Sequence, residues 1–251
     1  MSRKDVVQMW RNMAELQWEL NNFTNGEYWI SAGKTAKGKS IDWSICIKME
    51  LMELLNSLPW KHWKDVDQEP DLNNINIELV DIIHFYLSYG LERSRNTLLF
   101  MNTSREPEKH EVIDYFVNVF NTYCEQERII IPEKNNLISL MILTIKDILE
   151  NRIDIYTGLD KLMDINALLQ QVSFKDLYNI YCGKYCLNKV RQERGYQEGT
   201  YIKQWKLTSS TDEFVEDNVV MNNLLLEEPD VIDIKVFYNK LLKYYDDYVA
   251  K

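Results

Sequence analysis

The sequence predicts an all-α fold, a multi-helix bundle whose rigid helical core carries a closing loop. Glycine and proline are sparse, 8 and 5 in 251 residues, while Leu, Ile, Asn, Glu and Lys abound, a composition that favours long helices over a turn-rich sheet protein. Apolar residues also recur at helical spacing along most of the chain. With 45% of its residues hydrophobic and 12% aromatic, the chain has the material for a substantial core without covalent staples.

The elements follow in order. Val6, Trp10, Met13, Leu16 and Leu20 share a helical face behind Ser2, a candidate cap, so residues 4–23 read as an amphipathic helix. The stretch TNGEYWISAGKTAKGKS breaks it. A second helix runs from Ile41 to Leu58 into Pro59 and the aromatic segment WKHW, and a third spans 72–92, apolar around most of its circumference. Between 107 and 172 the runs VIDYFVNVF, LISLMILTIKDIL and LDKLMDINALL predict three more helices, with breaks near Pro132 and Gly158. Another covers 174–194 and stops at Gly195, a residue suited to a left-handed turn. The loop GYQEGTYIKQW, an acidic polar segment and a last helix over 232–249 complete the chain. No repeat or linker marks a boundary. Residues 1–251 are therefore expected to form one domain, with 96–172 a helical insertion of no recognisable chemistry and 195–220 a loop able to close over a substrate.

A formal charge of −10 excludes general nucleic-acid binding, which draws on a basic surface that releases counterions. A phosphate ligand would then need a metal or a local basic cluster. Cys46, Cys124, Cys182 and Cys186 form no pair of CxxC units, which fits a reduced, cytoplasmic protein. No apolar run reaches membrane-spanning length and the N-terminus lacks a signal pattern, so neither export nor insertion is expected.

Four carboxylates stand out. Glu50 and Glu53 in KMELMELL, and Glu78 and Asp81 in NIELVDIIHF, are spaced three apart, so each pair projects from one helical side. An acidic pair at this spacing is usually a solvated surface, as Glu108 and Glu111 illustrate. These two pairs differ because Met49, Leu51, Met52, Leu54 and Leu55 flank one, and Ile77, Leu79, Val80, Ile82 and Ile83 the other. Helices that greasy leave little solvated face, and burying four neighbouring carboxylates requires protonation, a cationic partner or a metal. Oxygen-only ligands select a hard cation, and magnesium fits best. Two helices facing claw to claw could hold two ions, the arrangement that steadies attacking and leaving oxygens in phosphoryl transfer. Three histidines are too few for zinc. His84 beside the second claw reads equally as a core imidazole.

The order ExxE, WKHW, then ExxD followed by HF resembles the metal signature of the all-α nucleoside triphosphate pyrophosphatases. Within them, MELMELLNSLPWKHWK, NIELVDIIHFYLS and GKYCLNKVRQERGYQEGTYIKQW resemble the dimeric dUTPases, over residues 10–95 and 174–220. The resemblance implies hydrolysis of dUTP, and of dUDP, to dUMP, and a homodimer. It implies that Glu50, Glu53, Glu78 and Asp81 hold Mg2+, and that Lys184, Asn188, Arg191, Tyr196 and Lys203 gather around the phosphates. Lys184, Asn188 and Arg191, four and three apart, share a helical face that should be locally positive. Gly195 and Gly199 would let a loop bend over the triphosphate, with Tyr201 adding a donor. For the base it points to Gln17 and Asn21, whose amides offer both donor and acceptor as uracil's edge requires, to Trp63 and Phe85 as aromatic surfaces, and to His84 beside the deoxyribose. Trp63 and Phe85 taken alone read as plain core.

The implied mechanism is in-line attack at the α-phosphorus by a magnesium-activated water, oriented mainly by Glu50 with help from Glu53. Lys184, Arg191 and Lys203 would stabilise the departing pyrophosphate. One departure is that Glu216, Asp217 and Asn218 follow Trp205 only after the insertion KLTSSTDEFV, so the acidic motif that family members carry close behind this tryptophan is displaced. Two other readings stay open: an all-α pyrophosphatase acting on another base, as in dCTP, and a non-enzymatic helical interaction protein.

Overall fold

The computed structural model describes residues 2–63, 69–101, 105–123, 134–208, 212–228 and 230–249; the break expected near Pro132, and Cys124, lie outside them. The described residues form ten helices and one two-stranded antiparallel sheet, as the composition predicts. None of these helices is long and apolar enough to cross a membrane. Cys46, Cys182 and Cys186 are free thiols. The backbone packs as two compact units, Met1–Phe174 and Lys175–Lys251.

In the first unit, α1 (Arg3–Asn25) starts at Ser2, whose hydroxyl accepts from the Asp5 amide while the Asp5 carboxylate accepts from the Ser2 amide. This reciprocal cap satisfies two of the amides that a helix start leaves over. The short α2 (Trp29–Ala32), which the sequence did not reveal, follows within the predicted break. Then α3 (Trp43–Asn56) is capped by Asp42, and α4 (Leu72–Met101) runs nine residues past the expected end at Glu92. The helices α5 (Lys109–Tyr123), α6 (Lys134–Leu149) and α7 (Ile155–Gln170) complete the unit. They supply core residues such as Phe116, Met141 and Leu162.

Two features fix how these helices meet. Asn166 donates to Asn76, Asn76 to Gln170 and Gln170 to Asn166, a closed amide triangle between α4 and α7. Partly buried amides that satisfy one another in this way tie two helices at one register. Gly90 of α4 lies against Phe116 of α5, and a Cβ at that glycine would sit 2.4 Å from the ring.

The second unit comprises α8 (Phe174–Glu193, of which all but the first residue belongs to it), the hairpin β1 (Gln204–Lys206) with β2 (Phe214–Glu216), α9 (Asp217–Leu226) and α10 (Ile234–Tyr248). Fully buried Trp205 stacks on Tyr244, while Tyr201 stacks on Tyr245 at 5.2 Å. The Ile202 amide donates to the Tyr245 hydroxyl. Within the expected closing loop, 195–220, which includes β1, β2 and the start of α9, Tyr201, Ile202 and Trp205 are thus anchored to α10, and Gly195 and Gly199 adopt positive φ.

Helix propensity alone favours alanine over glycine by about 1 kcal/mol, so Gly90→Ala separates propensity from packing. The approach of Phe116 predicts a net loss of about 1–2 kcal/mol, read as a lower urea midpoint. An unchanged or higher midpoint would show that α4 and α5 are less closely packed than described.

Candidate active site

The helices α3 and α4 are antiparallel neighbours. Trp43 at the start of α3 meets Phe85 at 6.2 Å, and Ser57 just past its end accepts from Asn74 near the start of α4. Their middles therefore face each other, which brings one oxygen each of Glu50, Glu78 and Asp81 within 4.8 Å of one another. Glu78 is buried, 8% exposed, among core residues Ile77, Leu79, Val80, Ile82 and Ile83. Glu50 and Asp81 are half-buried.

Glu53 is not in this group. It is exposed one turn further along α3, and its flanking Met49 and Met52 are 58% and 44% exposed. The apolar flank that argues for burial holds on α4, where the core wraps the helix. On α3 only Trp43, Ile47, Leu51 and Leu54 are buried.

The same unit builds a second polar cluster. His84 Nδ1 lies 2.6 Å from Gln17 Oε1, Gln17 Nε2 donates to Asn21 Oδ1, Asn21 Nδ2 to Ser88 Oγ, and Ser88 Oγ to the His84 carbonyl. All four side chains are buried, at most 4% exposed. An amide oxygen only accepts, so His84 Nδ1 carries the proton and the ring of bonds runs in one direction. Ser88 is the member the sequence reading missed. Its signal was a serine four residues after His84, on the same side of an otherwise apolar helix.

The aromatic residues expected around the base are distributed differently. Phe85 packs with Trp43, which in turn meets Trp29. Trp63 is 63% exposed, and its ring contacts among the described residues are Trp60 and His62.

In the second unit, Lys184, Asn188 and Arg191 do share a face of α8, but the face is not simply positive. Arg191 makes two parallel bonds to Asp217, at 2.9 and 2.8 Å, and Tyr201 donates to the same carboxylate at 2.7 Å. Lys184 donates to Asn218, and Arg191 also reaches Asn188. Asp217 is fully buried, and burial alone would raise its pKa; the Arg191 guanidinium and the Tyr201 hydroxyl outweigh that and hold the carboxyl below its ordinary range. Burial, then the charge of Asp217, pushes the Tyr201 hydroxyl well up, so it stays protonated and donates. Lys203 lies over the Tyr196 ring at 5.8 Å. The displaced motif thus does have a place: Asp217 and Asn218 open α9 and return to the basic residues of α8.

A family model described as dUTPase matches residues 9–196. The chain belongs to the dUTPase family. Family membership carries dUTP diphosphatase activity, and it places Gln17, both acidic pairs and the α8 basic face inside the matched region, with Lys203 and Asp217 beyond it. No curated protein matches this dUTPase.

The Arg191–Asp217 pair makes a stability prediction. A carboxylate whose folded pKa is depressed stabilises the fold above its unfolded pKa, and that contribution fades as pH falls through the folded value. Urea midpoints should therefore decline below about pH 4. Asp217→Asn, which leaves a buried guanidinium without its counter-charge, should cost about 3–5 kcal/mol at neutral pH and flatten that acid slope. A variant as stable as wild type at pH 7 would remove the pair from the list of structural ties.

Proposed function

We propose that this dUTPase works with magnesium held by Glu50, Glu78 and Asp81. The convergence of three carboxylate oxygens within 4.8 Å carries the reading. Three like charges so close repel unless a cation lies among them, and three converging carboxylate oxygens are the kind of donor set a hard cation takes. The donor set is all oxygen, so the residues fit a hard cation better than zinc. When bound, magnesium would lower the pKa of water and neutralise phosphate charge. Glu50, half-buried at the edge of the cluster, would orient the attacking water and take its proton. Exposed Glu53, one turn away, would assist as an outer ligand once substrate phosphate arrives.

The phosphate chain would be met by Lys184, Asn188, Arg191, Tyr196 and Lys203. Arg191 would bring Asp217 with it, so that the guanidinium is oriented before substrate binds, which is the pre-paid order that catalysis by positioning requires. Gln17 and Asn21 would read the base, with Phe85 and Trp63 covering it and His84 beside the sugar. The one-way ring, in which both amide oxygens accept and both amide nitrogens donate, would hold the two amides in one orientation toward the base, so that a mismatched edge leaves a buried group unpaired. The same contacts would serve dUDP. A homodimer and a cytoplasmic location complete the reading.

Pyrophosphate release from a panel of deoxynucleoside and ribonucleoside triphosphates, with magnesium and with chelator, tests it. Magnesium-dependent release from dUTP alone is expected; equal rates in chelator, or preference for dCTP, would refute it. Glu50→Gln should lower kcat by roughly 10²–10⁴-fold with thermal stability retained. In parallel, added magnesium should raise Tm in wild type by mass action and have no such effect on Glu78→Gln. Gln17→Leu should cut the dUTP to dCTP ratio of kcat/KM by about tenfold or more, and a ratio that stays at the wild-type value would move base recognition elsewhere.

A further inference from the structure

A cavity of about 400 Å³ opens between α3, α4 and the α6–α7 turn. This is within the range of small-molecule sites, about 300–1,000 Å³. It is separate from the carboxylate cluster. Lys48 lines it, and Lys48 and Glu50, two residues apart on α3, point roughly 160° away from each other around the helix axis. On α4 its residues Tyr89 and Arg93 lie two and three turns beyond Asp81.

Its lining has two characters. Four isoleucines and the rings of Tyr89 and Tyr156 form an apolar wall, and Tyr156 is braced edge-on by buried Tyr86 at 5.1 Å. Against this stand Lys48, Arg93 and Arg152, with Asp154 the one lining carboxylate. Asp154 is turned to the start of α7, where it accepts from the amides of Tyr156 and Thr157 and the Thr157 hydroxyl. Arg152 is matched by Asp147 and Glu150. Lys48 and Arg93 form no ion pair among the described residues; Arg93 lies on the face of Tyr89, and its charge also reaches the neighbouring Glu92 carboxyl. In a chain of net charge −10, two cations outside any ion pair beside an aromatic and aliphatic wall suit an anion with a flat apolar body.

We propose that this cavity binds a mononucleotide, its phosphate between Lys48 and Arg93 and its base against the Tyr89 and Tyr156 wall. Two cations match the charge of a phosphate monoester, about −1.5 to −2 at neutral pH. A guanidinium already aligned on a tyrosine ring loses little freedom on binding it. The site is independent of the metal cluster, so it would respond to nucleotide supply without occupying the catalytic centre.

The test is calorimetric titration of the full chain, in chelator, with AMP, whose purine the uracil-directed amides would not select, and with adenosine and inorganic phosphate as comparison arms. We expect saturable binding of AMP with Kd at or below roughly 1 mM and weaker binding of adenosine and of phosphate. Lys48→Glu with Arg93→Glu should weaken AMP binding by about tenfold or more while dUTP turnover is kept, and Arg93→Gln alone should weaken it less. Absence of saturable binding, AMP no tighter than phosphate, or a charge-reversed chain that binds AMP as wild type does would each overturn the assignment. Loss of dUTP hydrolysis in the panel above would leave this result standing, because the readout is binding without metal.

Discussion

Repulsion among Glu50, Glu78 and Asp81 is the constraint on which the first unit depends. Three carboxylate oxygens within 4.8 Å, one of them from a residue 8% exposed, work against folding unless surrounding structure holds them and a cation screens them. The holding is visible. The buried sides of α3 and α4 are rich in Ile and Leu, and the apolar area removed from water along that seam, at about 25 cal/mol per Å², offsets the charge. The amide triangle of Asn76, Asn166 and Gln170 then fixes α4 against α7. A rigid frame keeps acids at a spacing they would not choose alone.

The second unit solves the opposite problem. Its basic face would be spread by mutual repulsion and by the freedom of long side chains, and Asp217 draws it together. One buried carboxylate receives Arg191 on two bonds and Tyr201 on a third, and the next residue receives Lys184. Such a pair adds little net stability over an apolar replacement, since desolvation nearly cancels attraction. What it supplies is orientation: a guanidinium whose plane is set in advance.

Much of this was legible in residue order. The predicted all-α class and its long helices follow from sparse glycine and 3.6-residue periodicity, and Ser2 and Gly195 act as the punctuation they looked like. The apolar flanks of Glu78 and Asp81 told the truth about burial. Those of Glu50 and Glu53 told half of it, because a helix packed on one side exposes every third or fourth apolar residue, here Met49 and Met52. Strands of three residues are too short to show alternation, so the hairpin was hidden. The helix α9 was masked by the acidic run before it, and with it the burial of Asp217, since an acid in an acidic stretch reads as solvated until its partner, 26 residues away on α8, is known.

The Gln17, Asn21, Ser88 and His84 ring illustrates what spacing alone does not encode. Four residues on α1 and α4 could each have faced a ligand independently, and then either amide could rotate to offer oxygen or nitrogen as the base required. Closing the ring removes that freedom. Reversing one amide sets two acceptors or two donors against each other at two joints, which in a buried site costs about 1–3 kcal/mol per unmade bond. The two amides therefore keep one orientation. Were this ring to read the base as proposed, a mismatched edge would meet a surface that adapts only by breaking the ring, and selectivity by rejection would be stored in the protein's own hydrogen bonds.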